Sequence, residues 1–156
     1  MSALPIYRPQ IQPEWIDYNG HVRDAYYGLI FSHAIDGLMD LLGIDEPYRQ
    51  ATRNTLYSLE MHTYFLREVK QDDEIHVFTG IIAADSKRLH VATALHCARL
   101  AEAAATAEFM LLHLHQGETV RSAPFPPAVQ SRVDEYVTIT ARHPALGAPS
   151  RRIGLK

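Results

Sequence analysis

The spacing of the apolar residues changes once along this chain, and that change limits what the chain can fold into. Between Asp24 and Gly43, the residues Tyr27, Ile30, Phe31, Ala34, Ile35, Leu38, Leu41 and Leu42 recur three and four apart. This is the repeat of an α-helix. Asp24 is the expected N-cap and Gly43 the expected stop. From Tyr57 the repeat is two: Tyr57, Leu59, Met61, Thr63 and Phe65 alternate with Ser58, Glu60, His62, Tyr64 and Leu66. That pattern predicts a strand with two distinct faces. Further strands are expected at 75–83, 88–98 and 106–115, separated by turns at 70–74, 84–87 and 99–102. Turns this short join antiparallel neighbours.

The long helix is apolar around most of its circumference, which predicts that it is largely buried. One sheet covers such a helix only by curling about it. Gly28 and Gly37 each cost about 1 kcal/mol of helix propensity relative to Ala, and close approach of another backbone is the expected compensation. Ahead of the helix, residues 7–12 predict a strand that Pro9 shortens or confines to an edge. Residues 13–21 form a loop marked by Asn19-Gly20. A last helix is expected after Pro126-Pro127, with Val129, Val133, Tyr136 and Val137 on one stripe. The class is therefore α+β, a curved antiparallel sheet wrapped around a long central helix.

The 156 residues show no internal repeat or linker. They fit one domain, expected over 1–141, with a tail at 142–156 that is loose or docks on a partner subunit. A net charge of −3 offers no basic field for nucleic acid or an anionic membrane. No run approaches the roughly 20 apolar residues of a membrane helix, and the first residues do not resemble a secretory leader. The single cysteine, Cys97, excludes an internal disulfide, so a reducing cytoplasm is the expected compartment.

Chemistry concentrates in Asp17-Tyr18-Asn19-Gly20-His21-Val22, just before the long helix. A helix start presents free amides and the positive end of the dipole, which suit a developing oxyanion. A carbonyl aimed at those amides is open to the Asp17 carboxylate, or to a water that Asp17 activates. Gly20 allows a tight turn and close ligand approach, and Asn19 and His21 are candidates to hold Asp17 or orient water. On these residues alone the segment is equally an ordinary capped turn.

The wider pattern resembles a known family. Asp17-x-x-Gly20-His21-Val22, followed by Tyr26 or Tyr27, is similar to the thioesterases of the 4-hydroxybenzoyl-CoA type, which have the hotdog fold. The segments Pro13 to His21, Glu60-Met61-His62, Asp85 to His90 and Glu108 to His113 look most like the branch that hydrolyses betainyl-CoA in carnitine breakdown. The resemblance covers about Tyr7 to Pro124. It implies hydrolysis of a short acyl-CoA thioester with Asp17 as the catalytic carboxylate and with no cofactor. It also implies a homodimer, or a homotetramer built on dimers, with the site at the subunit interface.

On that basis Glu60 and His62, two apart on one strand face, are candidate acyl-pocket residues, because a carboxylate suits a quaternary ammonium group. Aromatic rings attract such a group by roughly 0.5–2 kcal/mol each. Trp15 and Tyr27 are the first candidates, with Tyr18 beside them. Lys87-Arg88, at a hairpin turn, and Arg67 are candidates for the phosphates of coenzyme A. The nine histidines show no metal-ligand spacing, so no metal is expected. Two other readings stand. A hotdog hydratase carries Asp and His with four residues between them, whereas three separate Asp17 from His21. The other is an acyl-CoA binding module without turnover.

Overall fold

A computed structural model describes residues 3–143, 146 and 153–154. In chain order the elements are β1 (Ile6–Tyr7), a single 3-10 turn (Pro13–Trp15), α1 (Asp24–Leu42), α2 (Glu46–Thr52), β2 (Asn54–Phe65), β3 (Ile75–Ala84), β4 (Arg88–Cys97), β5 (Ala103–Gln116), β6 (Val120–Ser122) and α3 (Pro127–Thr140). The strands form one antiparallel sheet in the order β1-β3-β4-β5-β2, and β6 pairs with the far end of β5. Alternate residues of the sheet, including Val77, Ile81, Val91, Leu95, Phe109 and Leu111, point to α1 and form one core with Ile30, Phe31, Leu38 and Leu42. The α+β class expected from the two periods is the class observed.

Helix α1 is less enclosed than its composition predicts. Tyr27, Ile30, Phe31, Ala34, Ile35, Leu38, Met39 and Leu42 are buried on one stripe, while Leu29, Ser32, His33, Asp36, Gly37, Asp40 and Leu41 are exposed. The sheet packs on one side of the helix, and Leu29 and Leu41 extend its apolar composition past that stripe. The expected backbone approach at the two helix glycines is not found either. A Cβ on Gly28 would meet only the Met61 methyl at 3.8 Å, and one on Gly37 would meet open space. Gly80 is the close-approach glycine: a Cβ there would lie 2.6 Å from Thr140 Cγ2 and 2.9 Å from Leu146 Cδ1. The Thr140 hydroxyl accepts the Ile81 amide at 2.9 Å, so the end of α3 seals the part of β3 that the two-residue β1 leaves unpaired.

Three local features depart from the simple pattern. A bulge at Leu59 breaks the alternation of β2, because Ser58 faces Leu111 while Glu60 faces Met110. Tyr57 and Met61 therefore lie on opposite faces, not on one. The short α2, capped by the Asp45 side chain on the Tyr48 amide at 2.9 Å, is too brief to show a helical repeat. Asp24 is the first helical residue instead of the cap, and its Oδ1 accepts the Ala25 amide at 2.9 Å. In the tail, positions 144–145, 147–152 and 155–156 lie outside the described residues. Leu146 is buried against the sheet of its own chain. No single helix among the described residues is long and apolar enough to cross a membrane.

Candidate functional site

Asp17 sits in a turn closed by its own backbone. The Asp17 amide donates to the His21 carbonyl at 2.9 Å and the Gly20 amide to the Asp17 carbonyl at 3.0 Å. Gly20 has φ 77° with nothing within 4 Å of a built Cβ, so the turn needs its left-handed conformation and not its small size. The carboxylate is held the same way. Asp17 Oδ1 accepts the Asn19 amide at 2.8 Å and the His21 amide at 3.4 Å. Asn19 and His21 thus seat Asp17 through main-chain donors. Among the described residues no hydrogen bond reaches Oδ2, which leaves that oxygen available for chemistry.

The turn is anchored on both sides. The Val22 amide donates to the Val69 carbonyl at 2.8 Å, and His21 bridges to Lys70. The Arg23 amide donates to the Trp15 carbonyl at 2.8 Å. At the helix start, the Ala25 amide goes to Asp24 Oδ1 and the Tyr26 amide to the Arg23 carbonyl. The Asp24 amide has no acceptor among the described hydrogen bonds.

These groups line a cleft of about 500 Å³ formed by Asp17, His21, Val22, Asp24, Tyr27 and residues 65–68. Tyr27 is its buried wall, with its ring edge-to-face on Phe65 at 5.1 Å. Burial pushes the Tyr27 phenol up to about 12, against the opposing pull of the Val69 amide. Three carboxylates (Asp17, Asp24 and Glu68) share the cleft with His21 and Arg67. The backbone amide of Glu68, then His21, Lys70 and Arg99, hold its carboxyl below the usual range. The Arg67 guanidinium donates to the Leu66 carbonyl at 2.7 Å.

The remaining candidates lie elsewhere. Trp15 is buried and stacked on Tyr26 at 5.9 Å, outside the cleft. Tyr18 is 89% exposed beneath the Arg23 guanidinium. Glu60 and His62 share a face, as their spacing predicts, but it is the sheet face opposite α1. There they line a separate 200 Å³ hollow with His90, Glu108 and Met110, and His90 Nε2 meets Glu108 Oε1 at 3.0 Å. Lys87 and Arg88 occupy the β3–β4 turn, where Arg88 pairs with Asp85 at 2.6 Å and Lys87 reaches Ser122 at 3.2 Å. Arg88 aligns with Leu112, and the cleft with Ala105. Seven residues of β5 separate them, roughly 24 Å at 3.4 Å per residue. Cys97 is buried, which pushes its thiol up to about 11. Among the described residues no three His, Cys, Asp or Glu side chains converge as metal ligands.

Sequence reasoning missed Asp24 and Glu68 as cleft residues. Asp24 was accounted for as a cap, and Glu68 falls in an aperiodic stretch after β2. The pairing of His21 with Lys70 and the bond from the Val22 amide to the Val69 carbonyl, contacts nearly fifty residues apart in sequence, bring 66–70 to the Asp17 turn.

The chain is similar to known proteins over nearly its whole length. A family profile described as "Thioesterase-like superfamily" matches residues 11–133. The chain is 43% identical to the betainyl-CoA thioesterase of Pseudomonas aeruginosa, across 99% of this chain and 96% of that one. A structure from Pseudomonas putida KT2440 superposes with a TM-score of 0.80 at 39% identity, over 100% and 99% of the two chains. A Staphylococcus aureus protein solved in complex with CoA superposes with a TM-score of 0.85 at 26% identity, over 100% and 99%. The chain belongs to the thioesterase-like superfamily and is a thioesterase of the hotdog fold.

Proposed function

We propose that the chain hydrolyses an acyl-CoA thioester at the Asp17 cleft, and that the preferred acyl group is betainyl. The observation that carries this is the seating of Asp17. One carboxylate oxygen is fixed by two amides and the other is unbonded, beside the start of α1. The thioester carbonyl oxygen lies against the helix start, where the Asp24 amide and the dipole stabilise the charge it gains. Asp17 attacks the carbonyl carbon, breaking the carbon–sulfur bond and leaving a mixed anhydride that water then opens, or it removes a proton from a water that attacks the carbon and expels the thiolate directly. Either route consumes one water and gives the free acid and coenzyme A thiol. After a single turnover in ¹⁸O-water, label in the Asp17 carboxylate marks the anhydride route opened at the Asp17 carbon, whereas direct water attack labels only the released acid.

The acyl preference rests on charge. A trimethylammonium group donates no hydrogen bond, so only charge and polarisable surface can recognise it. Asp24 and Glu68 supply charge in the cleft, and the rings of Tyr27 and Phe65 supply surface. The name of the 43% identical relative agrees. Glu60 and His62, across the sheet, are not needed for this recognition.

The functional unit in this proposal is a homodimer joined along β2. That strand is a free edge of twelve residues, and Leu59, Met61 and Phe65 on it are 57%, 49% and 56% exposed. A long apolar edge of this kind is a template for a second strand. Antiparallel pairing of two β2 edges reverses the partner's sheet. It brings the partner's Lys87–Arg88 turn to the end that holds Asp17, three strand spacings or about 14 Å away laterally. Lys87 and Arg88 there meet the phosphates of a coenzyme A whose thioester sits at Asp17, with Arg67 nearer the cleft.

The test is free-thiol release from a panel of acyl-CoAs. It includes betainyl-CoA and its uncharged isostere 3,3-dimethylbutanoyl-CoA. Betainyl-CoA is expected to turn over at least tenfold faster, as a monodisperse dimer by sedimentation. Equal rates would remove the betainyl assignment. Binding without thiol release would remove hydrolysis itself.

A further inference from the structure

The stretch 68–70 begins at Glu68, which lines the cleft, and carries no secondary structure except the bridge at Lys70. Its position is fixed from behind by Asp73 and Arg99. The Asp73 side chain is 8% exposed. Its Oδ2 accepts the Lys70 amide at 2.8 Å, and its Oδ1 accepts Arg99 Nε at 2.6 Å. A second arm of the same guanidinium, Nη2, donates to the Glu68 carbonyl at 2.6 Å. The Asp73 amide closes the loop on the Lys70 carbonyl at 3.1 Å. One arginine therefore ties both ends of the three-residue stretch through a planar, preorganised fork.

From that stretch the bonds run to the carboxylate. The Val69 carbonyl receives the Val22 amide, and Lys70 bridges His21. The His21 carbonyl receives the Asp17 amide, while the His21 amide reaches Asp17 Oδ1. Burying Asp73 at this place is unfavourable without its partner, and neither Asp73 nor Arg99 lines the cleft. Burial raises the Asp73 carboxyl, but the bonds from Arg99 and from the Lys70 amide outweigh it and leave the group below its usual value.

We propose that Arg99, through Asp73 and the 68–70 stretch, is a positioning residue that sets the placement of the Asp17 carboxylate relative to the start of α1. This rests on the hydrolysis at Asp17 proposed above. Displacement of a reacting group by about 1 Å costs as much as ~100-fold in rate. Losing Arg99 therefore lowers kcat and leaves KM within a factor of about three.

The test is a double-mutant cycle on thiol release by the full chain, comparing Arg99→Met, Asp17→Asn and the pair. Arg99→Met is expected to reduce kcat by 10- to 100-fold alone and by less than threefold in the Asp17→Asn background. Arg99→Lys, which keeps the charge but not the two-armed fork, is expected to lie between wild type and Arg99→Met. A merely structural residue would lower both backgrounds by the same factor, and that result overturns the proposal. So does an Arg99→Met enzyme at wild-type kcat, or an Arg99→Lys enzyme with full wild-type kcat. If Arg99→Met does not fold, Asp73→Asn, which keeps the shape and removes the charge, enters the same cycle with the same criteria. Wild-type turnover by Asp17→Asn alone would instead overturn the proposed function, and this proposal with it.

Discussion

At one end of the β2–β5 ladder, where Leu56 aligns with His113, a histidine is sealed into the core. His113 is fully buried, its Nδ1 donates to the Ala123 carbonyl at 2.8 Å, and its Nε2 accepts the Tyr48 hydroxyl at 2.9 Å. The same hydroxyl takes the Asn54 side-chain amide at 3.4 Å, and the Phe125 ring packs at 5.0 Å. At the other end, where Phe65 aligns with Ala105, the Asp17 cleft holds three carboxylates, His21 and Arg67, and among the described residues no ion pair joins any two of them. The two ends use similar residue types. In the first every polar atom of the histidine ring has a partner, and the arrangement is inert. In the second one carboxylate oxygen has none, and that open valence makes a reaction possible. A satisfied polar network stabilises, whereas a partly satisfied one is unstable unless it is solvent-facing and useful.

This contrast breaks most decisively at Asp17. Asp17→Asn is expected to lose at least ~100-fold in thiol release, about 2.7 kcal/mol of barrier, with a melting temperature within a few degrees of wild type. Steady-state kinetics beside a thermal melt separates the two effects. The mirror-image change is His113→Leu, which removes the acceptor of the half-buried Tyr48 hydroxyl and the donor to the Ala123 carbonyl. It is expected to lower stability by about 1–3 kcal/mol in urea unfolding, with kcat per folded molecule unaltered. A variant that loses activity and stability together would show that the two ends are not separable.

A smaller change sharpens the specificity of the open end. Glu68→Gln removes one negative charge from a solvent-exposed, screened contact with the ammonium group. The betainyl preference over 3,3-dimethylbutanoyl-CoA is then expected to fall about fivefold, with turnover of the uncharged ester preserved. The smallest effect is on pH. Burial holds the His113 imidazole below the usual histidine value, more strongly than the Ala123 carbonyl raises it. The unfolded chain therefore takes up this proton first, and stability declines as pH falls through about 6.5. His76 and His96, lowered chiefly by burial, contribute with the same sign. Urea midpoints at pH 7.5 and 5.5 are expected to differ less in His113→Leu than in wild type.

Much of the frame was legible in the sequence because its signals are periodic. The helix stripe from Tyr27 to Leu42 and the two hairpins β3–β4 and β4–β5 follow from spacing and short turns, whereas the turn at 70–74 predicts β2 beside β3 and the structure pairs β2 with β5 at the opposite side of the sheet. Asp17 stood out because a carboxylate, Asn-Gly and a helix start fall together. What stayed hidden depends on contacts distant in sequence. The Leu59 bulge reassigns Tyr57 to the other face, and nothing in an alternating string of residues announces an extra one. Glu68 enters the cleft because His21 meets Lys70 and Val22 meets Val69. The separation of Lys87–Arg88 from Asp17 is a matter of register, which a linear string does not display.

The Leu59 bulge divides β2 into two independently phased halves. The residues before it are registered against the sealed end, through Leu56 and His113, and those after it against the cleft, through Met61 and Phe65. Deleting the codon for Leu59 would leave every other residue of the strand opposite its present partner, because Ser58 already faces Leu111 and Glu60 already faces Met110. A single deletion at any other position slides the residues between it and the bulge by one and turns their faces over. Leu59 is therefore the one place where the segment from Asn54 to Phe65 can shorten without exchanging interior for exterior.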